Sequence, residues 1–166
     1  SYILAYDLVN NLTEKEISDI LWMFGEERWH NRIARYLVRE RSNSPIATTG
    51  QLRDIVVRAI GRPFSPGQRI HPATRTFQAL RIAVNRELEA LKEALSAVPE
   101  LLKKRGRVCV ISFHSLEDRI VKHSFKENSL KGIYKIITKK PLEASDDETA
   151  QNPRSRSAKM RAASRL

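Results

Sequence analysis

Apolar residues recur every three or four positions through the first part of the chain. This spacing places them on one face of an α-helix, as the buried side of an amphipathic helix requires. The first such face runs from Ile17 to Phe24. In the second helix, Trp29, Ile33 and Leu37 are expected to point inward. The pattern predicts four helices, over residues 13–24, 27–41, 48–60 and 73–98.

The ends of the predicted helices carry recognisable signals. The segments Thr13–Glu16 and Thr48–Gln51 have the spacing of a capping box, in which two side chains accept hydrogen bonds from each other's backbone amides. Gly25 and Gly61 follow the last apolar positions and are expected to supply the left-handed residue that ends a helix. These signals predict a helical bundle in the first part of the chain.

The later part of the chain changes to the pattern of a sheet. Val108–Ser112 is a short apolar run, as expected of a strand buried on both faces, with Cys109 packed as a small apolar group. A helix follows at once, with Ser115 as its expected N-cap, and Ile133–Thr138 alternates as a second strand. The sequence therefore predicts an α/β fold with half of a parallel sheet.

Two loops are predicted from composition. Arg62–Ile70 contains two prolines and a glycine and is expected to separate two domains. Lys139–Pro153 is acidic in its middle and is expected to be a surface loop. The predicted domains are residues 1–70, which are helical, and residues 71–166, which contain the longest helix, the strands and a basic tail.

The charge of the chain bears on its partners. Thirty Lys and Arg against 19 Asp and Glu give a net charge of +11, which favours a polyanion such as RNA, DNA or an acidic membrane. Four arginines are expected on the outer face of the second helix, where a solvated face is the common interpretation and the net charge favours RNA. They are Arg28, Arg32, Arg35 and Arg39.

The tail QNPRSRSAKMRAASRL carries cations and no acid, which suits contacts to phosphates because each neutralised phosphate releases counterions. The alternative is a tail that only solubilises the chain, although Met160 and Leu166 indicate that part of it packs. The cations of the tail are Arg154, Arg156, Lys159, Arg161 and Arg165.

Cysteine usage and hydropathy bear on the compartment. The single cysteine excludes an intrachain disulfide and a cysteine zinc cluster, which fits a reducing compartment. No apolar run approaches the ~20 residues of a membrane span, and the start SYILAYDLVNN lacks the basic residues of a signal peptide. We expect a cytoplasmic protein, or one of an organelle matrix if the source is eukaryotic. The missing initiator methionine suggests part of a longer protein.

The turn after Val108–Ser112 holds the polar residues that are best placed to bind a ligand or take part in a reaction, because ligands of open α/β sheets bind at the carboxyl ends of strands. His114, Ser115 and Asp118 suggest a serine hydrolase, but GxSxG is absent and adjacent turn residues point apart, which favours a capping role for Ser115. His114 is either a hydrogen-bonding turn residue or a pocket wall. The four histidines lack metal-ligand spacing, and no glycine-rich phosphate loop is present, so neither a metal site nor a cofactor loop is predicted.

Three long motifs resemble the RsmH (MraW) family, the SAM-dependent methyltransferases of 16S rRNA. In chain order they are HPATRTFQALRIAVNRELEALK, VISFHSLEDRIVK and NPRSRSAKMRAA. The stretches GEERWHNRIARYLV and TTGQLRDIV also resemble the helical insertion of that family. The resemblance covers essentially the whole chain.

The resemblance implies methylation of the exocyclic N4 of a cytidine near the ribosomal decoding site, with S-adenosyl-L-methionine as cofactor. Family members are nearly twice this long, and their first half holds the glycine-rich cofactor loop, which this chain lacks. Residues 1–70 would then be most of a helical substrate-recognition subdomain inserted into a Rossmann-like core. Residues 71–166 would be the C-terminal part of that core, and the chain a fragment that is inactive alone.

The resemblance and the placement of charge together suggest two groups of functional residues. The pocket-wall candidates at the strand turn are His114, Ser115 and Arg119. The candidates for contact with the rRNA backbone are Arg75, Asn152, Arg154, Arg156 and Lys159. The expected partner is 16S-type rRNA or the small ribosomal subunit, and a homodimer is a further expectation. The alternative function is a catalytically inactive RNA-binding or ribosome-assembly module.

Overall fold

The computed structural model describes residues 4–61 and 70–166, so that most of the predicted loop at 62–70 lies outside the described residues. Two compact units divide the chain, Ser1–Arg86 and Glu87–Leu166. Their division falls later in the chain than the boundary predicted after residue 70. Within the described ranges, no helix has both the length and the apolarity to cross a membrane.

The first unit is built from five helices within its described residues. Both predicted capping boxes are present: Thr13 Oγ1 accepts from the Glu16 amide at 3.3 Å, and Thr48 Oγ1 accepts from the Gln51 amide at 3.2 Å. Gly61 ends the fourth helix in the left-handed conformation, as predicted. The helices are α1 Ala5–Asn11, α2 Glu14–Gly25, α3 His30–Arg41, α4 Thr49–Ile60 and α5 Thr74–Asn85.

The end of α2 differs from the prediction. Gly25 is still helical, and Glu26 is the left-handed residue, with φ of 47°. A side chain at Gly25 would place its Cβ 2.7 Å from the Arg75 carbonyl oxygen of α5, which is too close for any other residue. Gly25 is therefore needed for the close approach of two helices, and α3 begins only at His30.

The core of the first unit contains the predicted apolar faces. Ile17, Leu21, Ile33 and Leu37 are almost completely buried. Trp29, in contrast, is 41 % exposed, so its predicted inward position is wrong. The reason is that α3 starts after Trp29, which removes this residue from the regular helical face.

The predicted long helix over residues 73–98 is two helices. Arg86 adopts a left-handed conformation with φ of 50° and ends α5, and α6 spans Glu87–Leu101 with Pro99 inside it. Because arginine is not a usual residue for this conformation, no local pattern marks the break.

The second unit contains a four-stranded antiparallel sheet. The strands are β1 Arg107–Ser112, β2 Tyr134–Ile136, β3 Leu142–Glu143 and β4 Lys159–Arg165. Strand β4 lies between β1 and β2 and also pairs with β3, each time antiparallel. The predicted parallel neighbours β1 and β2 run in the same direction but are separated by β4. The fold is mixed α/β, as predicted, and the sequence taken for a basic tail supplies a central strand.

Helices cover one face of this sheet. Helix α7 spans Ser115–Leu130, and its Val121 and Phe125 pack with Leu95 of α6 and Tyr134 of β2. The other face of β1 is open, because Cys109 and Ile111 are exposed while Val108 and Val110 face the core. The predictions of a strand covered on both faces and of a buried cysteine are therefore wrong for this chain.

The predicted surface loop Lys139–Pro153 contains regular structure. Strand β3 and a short helix, α8 Asp146–Gln151, lie within it, and a 3₁₀ turn at Pro153–Ser157 leads into β4. The acidic residues at the start of α8 suit the positive end of a helix dipole.

Candidate functional site

The turn between β1 and α7 is organised by two side chains. His114 is the N-cap of α7, and Ser115, the predicted cap, is the first helical residue. The Glu117 amide donates to His114 Nδ1 over a long 3.4 Å, while Glu117 Oε2 accepts from the amides of Phe113 at 2.8 Å and His114 at 3.3 Å. This reciprocal arrangement is a capping box with an imidazole in place of a hydroxyl.

Glu87, at the start of α6, joins this turn. One ligand atom each from Glu87, His114 and Glu117 lie within 4.8 Å of one another, in an arrangement that a metal ion could use. However, His114 Nδ1 accepts a hydrogen bond, so the neutral ring carries its proton on Nε2. Nε2 lies 3.4 Å from Glu117 Oε1, in a contact that lacks hydrogen-bond geometry. The hydrogen bonds that Glu117 accepts from the two backbone amides therefore support a capping role for this pair, and no metal ion is assigned to the cluster.

An internal ion pair fixes the first turn of α7 against the sheet. Arg161 of β4 donates to Asp118 through Nε at 2.6 Å and Nη2 at 3.0 Å, and both side chains are largely buried. The hydrogen bonds from Arg161 hold the pKa of the Asp118 carboxyl below its usual value, although burial opposes this shift. Asp118 thus has a structural partner at the position where the sequence suggested a catalytic acid.

Arg119 contributes to a groove that His114 and Glu117 do not line. It lines a groove of about 510 Å³ between α6 and α7, together with Lys92, His123 and Lys131. Within the described part of the chain, His114 and Ser115 do not line this groove. The three predicted pocket-wall residues are therefore neighbours in sequence that do not line this groove together.

The predicted RNA-contacting residues near the C-terminus differ in exposure. Arg154 and Arg156 are exposed on the 3₁₀ turn, and Asn152 is exposed just before it. Lys159 begins β4, where its Nζ lies 3.8 Å from Glu143 Oε1. The first three present a polar and basic surface to solvent, whereas Lys159 has an acidic neighbour.

Two other cations of the same segment are internal. Arg161 pairs with Asp118, and Arg165 Nη1 donates to the carbonyl oxygens of Pro99 and, at 2.6 Å, of Leu102 at the end of α6. A cation there complements the negative end of the helix dipole. The charge of the tail suggested contacts with phosphate, but the guanidinium groups of these two residues make contacts inside the unit.

Arg75 belongs to the first unit. Its Nη1 donates to the Glu26 carbonyl oxygen at 3.0 Å, which ties α5 to the end of α2, and its side chain is exposed. Arg75 therefore has at least one structural role.

Sequence reasoning missed Glu87 and Arg161 as members of the turn. Because residues 73–98 were expected to form one helix, the start of a new helix at Glu87 was not predicted. Because the C-terminal segment was expected to be a tail, Arg161 was not predicted to pair with Asp118. The one usable signal was Asp118 itself, because an acid in a helix that packs on a sheet needs a partner when it is buried.

The whole chain matches the family model of the MraW methylase family, over residues 1–166. Three similar proteins each carry the name ribosomal RNA small subunit methyltransferase H. Those of Acidobacterium capsulatum and Koribacter versatilis are 53 % and 52 % identical over 97 % and 98 % of this chain. That of Clostridioides difficile is 44 % identical over 98 % of this chain.

The same alignments cover 52 %, 51 % and 57 % of these three relatives. The chain thus spans about half the length of the curated relatives it matches, while both of its units fall within the matched region.

Proposed function

Because this chain belongs to the MraW methylase family, we propose that it is part of an rRNA methyltransferase that methylates the N4 of a cytidine in small-subunit rRNA. The observation that carries the proposal is the match over the whole chain to relatives named for methylation of small-subunit rRNA. Residues 1–70 then correspond to most of a helical substrate-recognition insertion, and residues 71–166 to the C-terminal part of a Rossmann-like core.

S-adenosyl-L-methionine is the cofactor that this function implies, and it would supply the methyl group. The described residues do not fit it well. The glycines of the described ranges occur singly, without a phosphate-binding loop, and Glu117, the carboxylate nearest the end of β1, already accepts from two backbone amides. We therefore propose that the cofactor is held mainly by a segment outside this chain.

The contribution of this chain is positioning. Methyl transfer between two bound reactants gains most of its rate from holding them in line, and an RNA base must leave its stack to be reached. The capping box of His114 and Glu117 and the ion pair of Asp118 and Arg161 fix the turn at the carboxyl end of β1. A rigid turn at this position is suited to form one wall of a substrate cleft.

The exposed cations are suited to hold the RNA backbone. Arg154 and Arg156 are solvent-exposed on one 3₁₀ turn, next to Asn152. Replacing both arginines with alanine should weaken RNA binding and reduce the slope of log affinity against log salt by about 0.7–0.9 for each phosphate that the variant no longer neutralises. An unchanged slope would show that this turn does not touch phosphate.

The test of the function uses a longer protein that contains these residues. Incubated with small ribosomal subunits that lack the modification and with labelled S-adenosyl-L-methionine, it should transfer the label to one cytidine N4, as mass spectrometry of nuclease digests would show. Transfer to another atom would contradict the N4 assignment. Absence of transfer to any form of the rRNA would contradict the methyltransferase assignment.

A second function is favoured by one observation, which is that the described residues lack a cofactor loop. A catalytically inactive RNA-binding or assembly module would use the same surface without chemistry. Calorimetry of the chain should show RNA binding without tight binding of S-adenosyl-L-methionine under either function. The two functions differ in whether the gene continues upstream into a glycine-rich loop after an apolar strand.

Compartment and assembly follow from the same proposal. An rRNA methyltransferase works where ribosomes assemble, so a cytoplasmic or organelle-matrix location is expected. The predicted homodimer remains a prediction, which sedimentation of the longer protein would test.

A further inference from the structure

The first unit carries exposed aromatic side chains that its core does not use. Trp22 and Trp29 are 55 % and 41 % exposed. The Trp22 ring lies beside the His30 ring, with 5.1 Å between centroids, and Trp29 directly precedes His30 in the chain. We call these three residues the aromatic patch. Tryptophan gains much from burial, so two exposed tryptophans in one small region indicate a binding surface.

Hydrogen bonds hold the patch in place. The buried Ser18 hydroxyl donates to Asn31 Oδ1 at 2.7 Å, so it accepts from His30 Nδ1, also at 2.7 Å. The Trp29 amide donates at 2.9 Å to the carboxylate of Glu27, which is buried. The His30 ring and the Trp29 backbone are thus fixed before any ligand binds. Less conformational entropy of the protein is therefore lost on binding.

Arginines flank the patch along the chain. Arg28 precedes Trp29 and is exposed, and the exposed Arg32 lies 5.8 Å from the centre of the Tyr36 ring. Farther along the helix, Arg35 lies 3.6 Å from Glu14 in a solvent-exposed pair. Arg28 and Arg32 therefore bring positive charge next to the patch along the chain, and Arg32 also lies over the ring of Tyr36.

This combination selects a type of partner. Guanidinium groups complement phosphates, and an exposed aromatic face complements an unstacked nucleobase. A duplex offers phosphates but hides the faces of its bases, whereas a single strand offers both. An unpaired nucleic acid therefore complements both the charge and the flat surfaces.

We propose that the aromatic patch is a stacking platform for an unpaired segment of RNA, whose phosphates Arg28 and Arg32 contact. The choice of RNA over DNA rests on the proposed function. The platform belongs to the first unit, whereas the turn at His114 belongs to the second, so it binds RNA through residues other than those of the β1–α7 turn.

The chain contains two tryptophans, and both are in the patch. Intrinsic tryptophan fluorescence therefore observes the proposed site directly. Titration of the 166-residue chain with a short oligouridylate should quench this fluorescence. A duplex RNA of equal length should bind more weakly and quench less. Equal affinity and equal quenching by the duplex would overturn the proposal.

Two variants separate stacking from folding. Trp22→Ala should weaken binding of a labelled oligouridylate about 5-fold to 150-fold, the range expected for loss of one base–aromatic stack. Trp22→Phe keeps an aromatic face and should retain most of the affinity, and circular dichroism would verify that both variants are folded. Equal affinities of the two folded variants would overturn the proposal.

A matched pair of charge variants tests the phosphate contact. Arg28→Ala should weaken binding more than Arg53→Ala, which removes the same charge from an exposed pair with Asp54 on α4. Equal effects would show that only net charge matters, which contradicts a contact by Arg28.

Two further outcomes would assign the patch to another occupant. A blue shift of tryptophan emission with phosphatidylglycerol vesicles, but no change with RNA, would make it a membrane contact. In a longer protein, tryptophans shielded from acrylamide without RNA would indicate another segment covering it. If the unaltered longer protein methylates rRNA but its tryptophan fluorescence is not quenched by oligouridylate, the platform alone is overturned. If it binds oligouridylate with quenching but methylates no rRNA, the proposed function alone is overturned.

Discussion

The two units differ in how completely they bury their apolar side chains. The helical unit surrounds Ile33, Leu37 and Val56 so that none of these side chains is exposed. The sheet unit covers one face with α6 and α7 and leaves Ile111 and Leu142 more than half exposed on the other face. Both are opposite Met160 in the register of the sheet, so they form one apolar row across three strands.

This difference has a simple physical reason. A helix satisfies its backbone hydrogen bonds within one segment, so several short helices can close a core from nearby residues. A sheet needs partners from distant parts of the chain, and here β4 must insert between β1 and β2. Ionic contacts of β4 then become important for the sheet unit, because they attach the central strand to the helices.

The largest expected effect is on this attachment. Arg161→Ala leaves the buried Asp118 carboxylate without its partner and should lower the free energy of unfolding of the sheet unit by about 3–5 kcal/mol. Both tryptophans lie in the helical unit, so tryptophan fluorescence in urea reports that unit, while circular dichroism reports both. The dichroism transition should move and the fluorescence midpoint should stay. The exposed Arg154→Ala is the control, with an effect within about 0.5 kcal/mol.

The converse change tests the helical unit. Leu37→Ala removes a fully buried side chain and should cost about 2–5 kcal/mol. The fluorescence midpoint should fall, and the part of the dichroism change that belongs to the sheet unit should stay unchanged. Arg39→Ala, at an exposed site on the same helix, should have little effect. A common shift of all transitions in either experiment would show that the two units unfold as one.

The ion pair should also give the sheet unit a pH dependence. The folded-state pKa of Asp118 lies below its usual value because Arg161 donates to it. The stabilisation is therefore complete above the usual Asp value of about 4 and is lost as pH falls through the lower folded-state value. The free energy of unfolding, measured from neutral to acidic pH, should decrease in that window. Asp118→Asn should lose this part of the dependence, and an unaltered profile would contradict it.

The smallest effect concerns a helix end in the helical unit. Thr48→Ala removes the side-chain acceptor of the Gln51 amide and should cost about 0.5–2 kcal/mol. Thr49→Ala is its neighbour control, since Thr49 is exposed and is already inside α4. Equal costs for the two variants, read from tryptophan fluorescence in urea, would argue against the capping contribution.

The sequence predictions are most accurate where the interactions join residues that are close together in the chain. The capping boxes at Thr13 and Thr48 depend on residues three positions apart, and both are present. The N-cap of α7 was misplaced by one residue, because His114 performs a role usually given to Ser or Thr. The break at Arg86 was missed, because its left-handed conformation falls on a residue that does not favour it.

The candidate site shows the same limit. The sequence predicts that His114 lies at a functional turn, but its proximity to Glu87 required knowing where α6 begins. The sequence also predicts Arg161 as part of a basic tail, whereas in the sheet it donates to Asp118, 43 positions earlier in the chain. Whether Arg154 and Arg156 contact RNA remains a prediction, and their exposure leaves them available for it.

The sequence by itself determined helices α2, α3 and α4 of the first unit, the mixed α/β class and the family. These properties depend on local periodicity and on long motifs that stand in the chain in a fixed order. Only the tertiary structure decided that the basic C-terminal segment is the central strand and that Trp22 and Trp29 face solvent. The reason is that strand pairing and burial are set by residues far apart in sequence, whose positions no local pattern specifies.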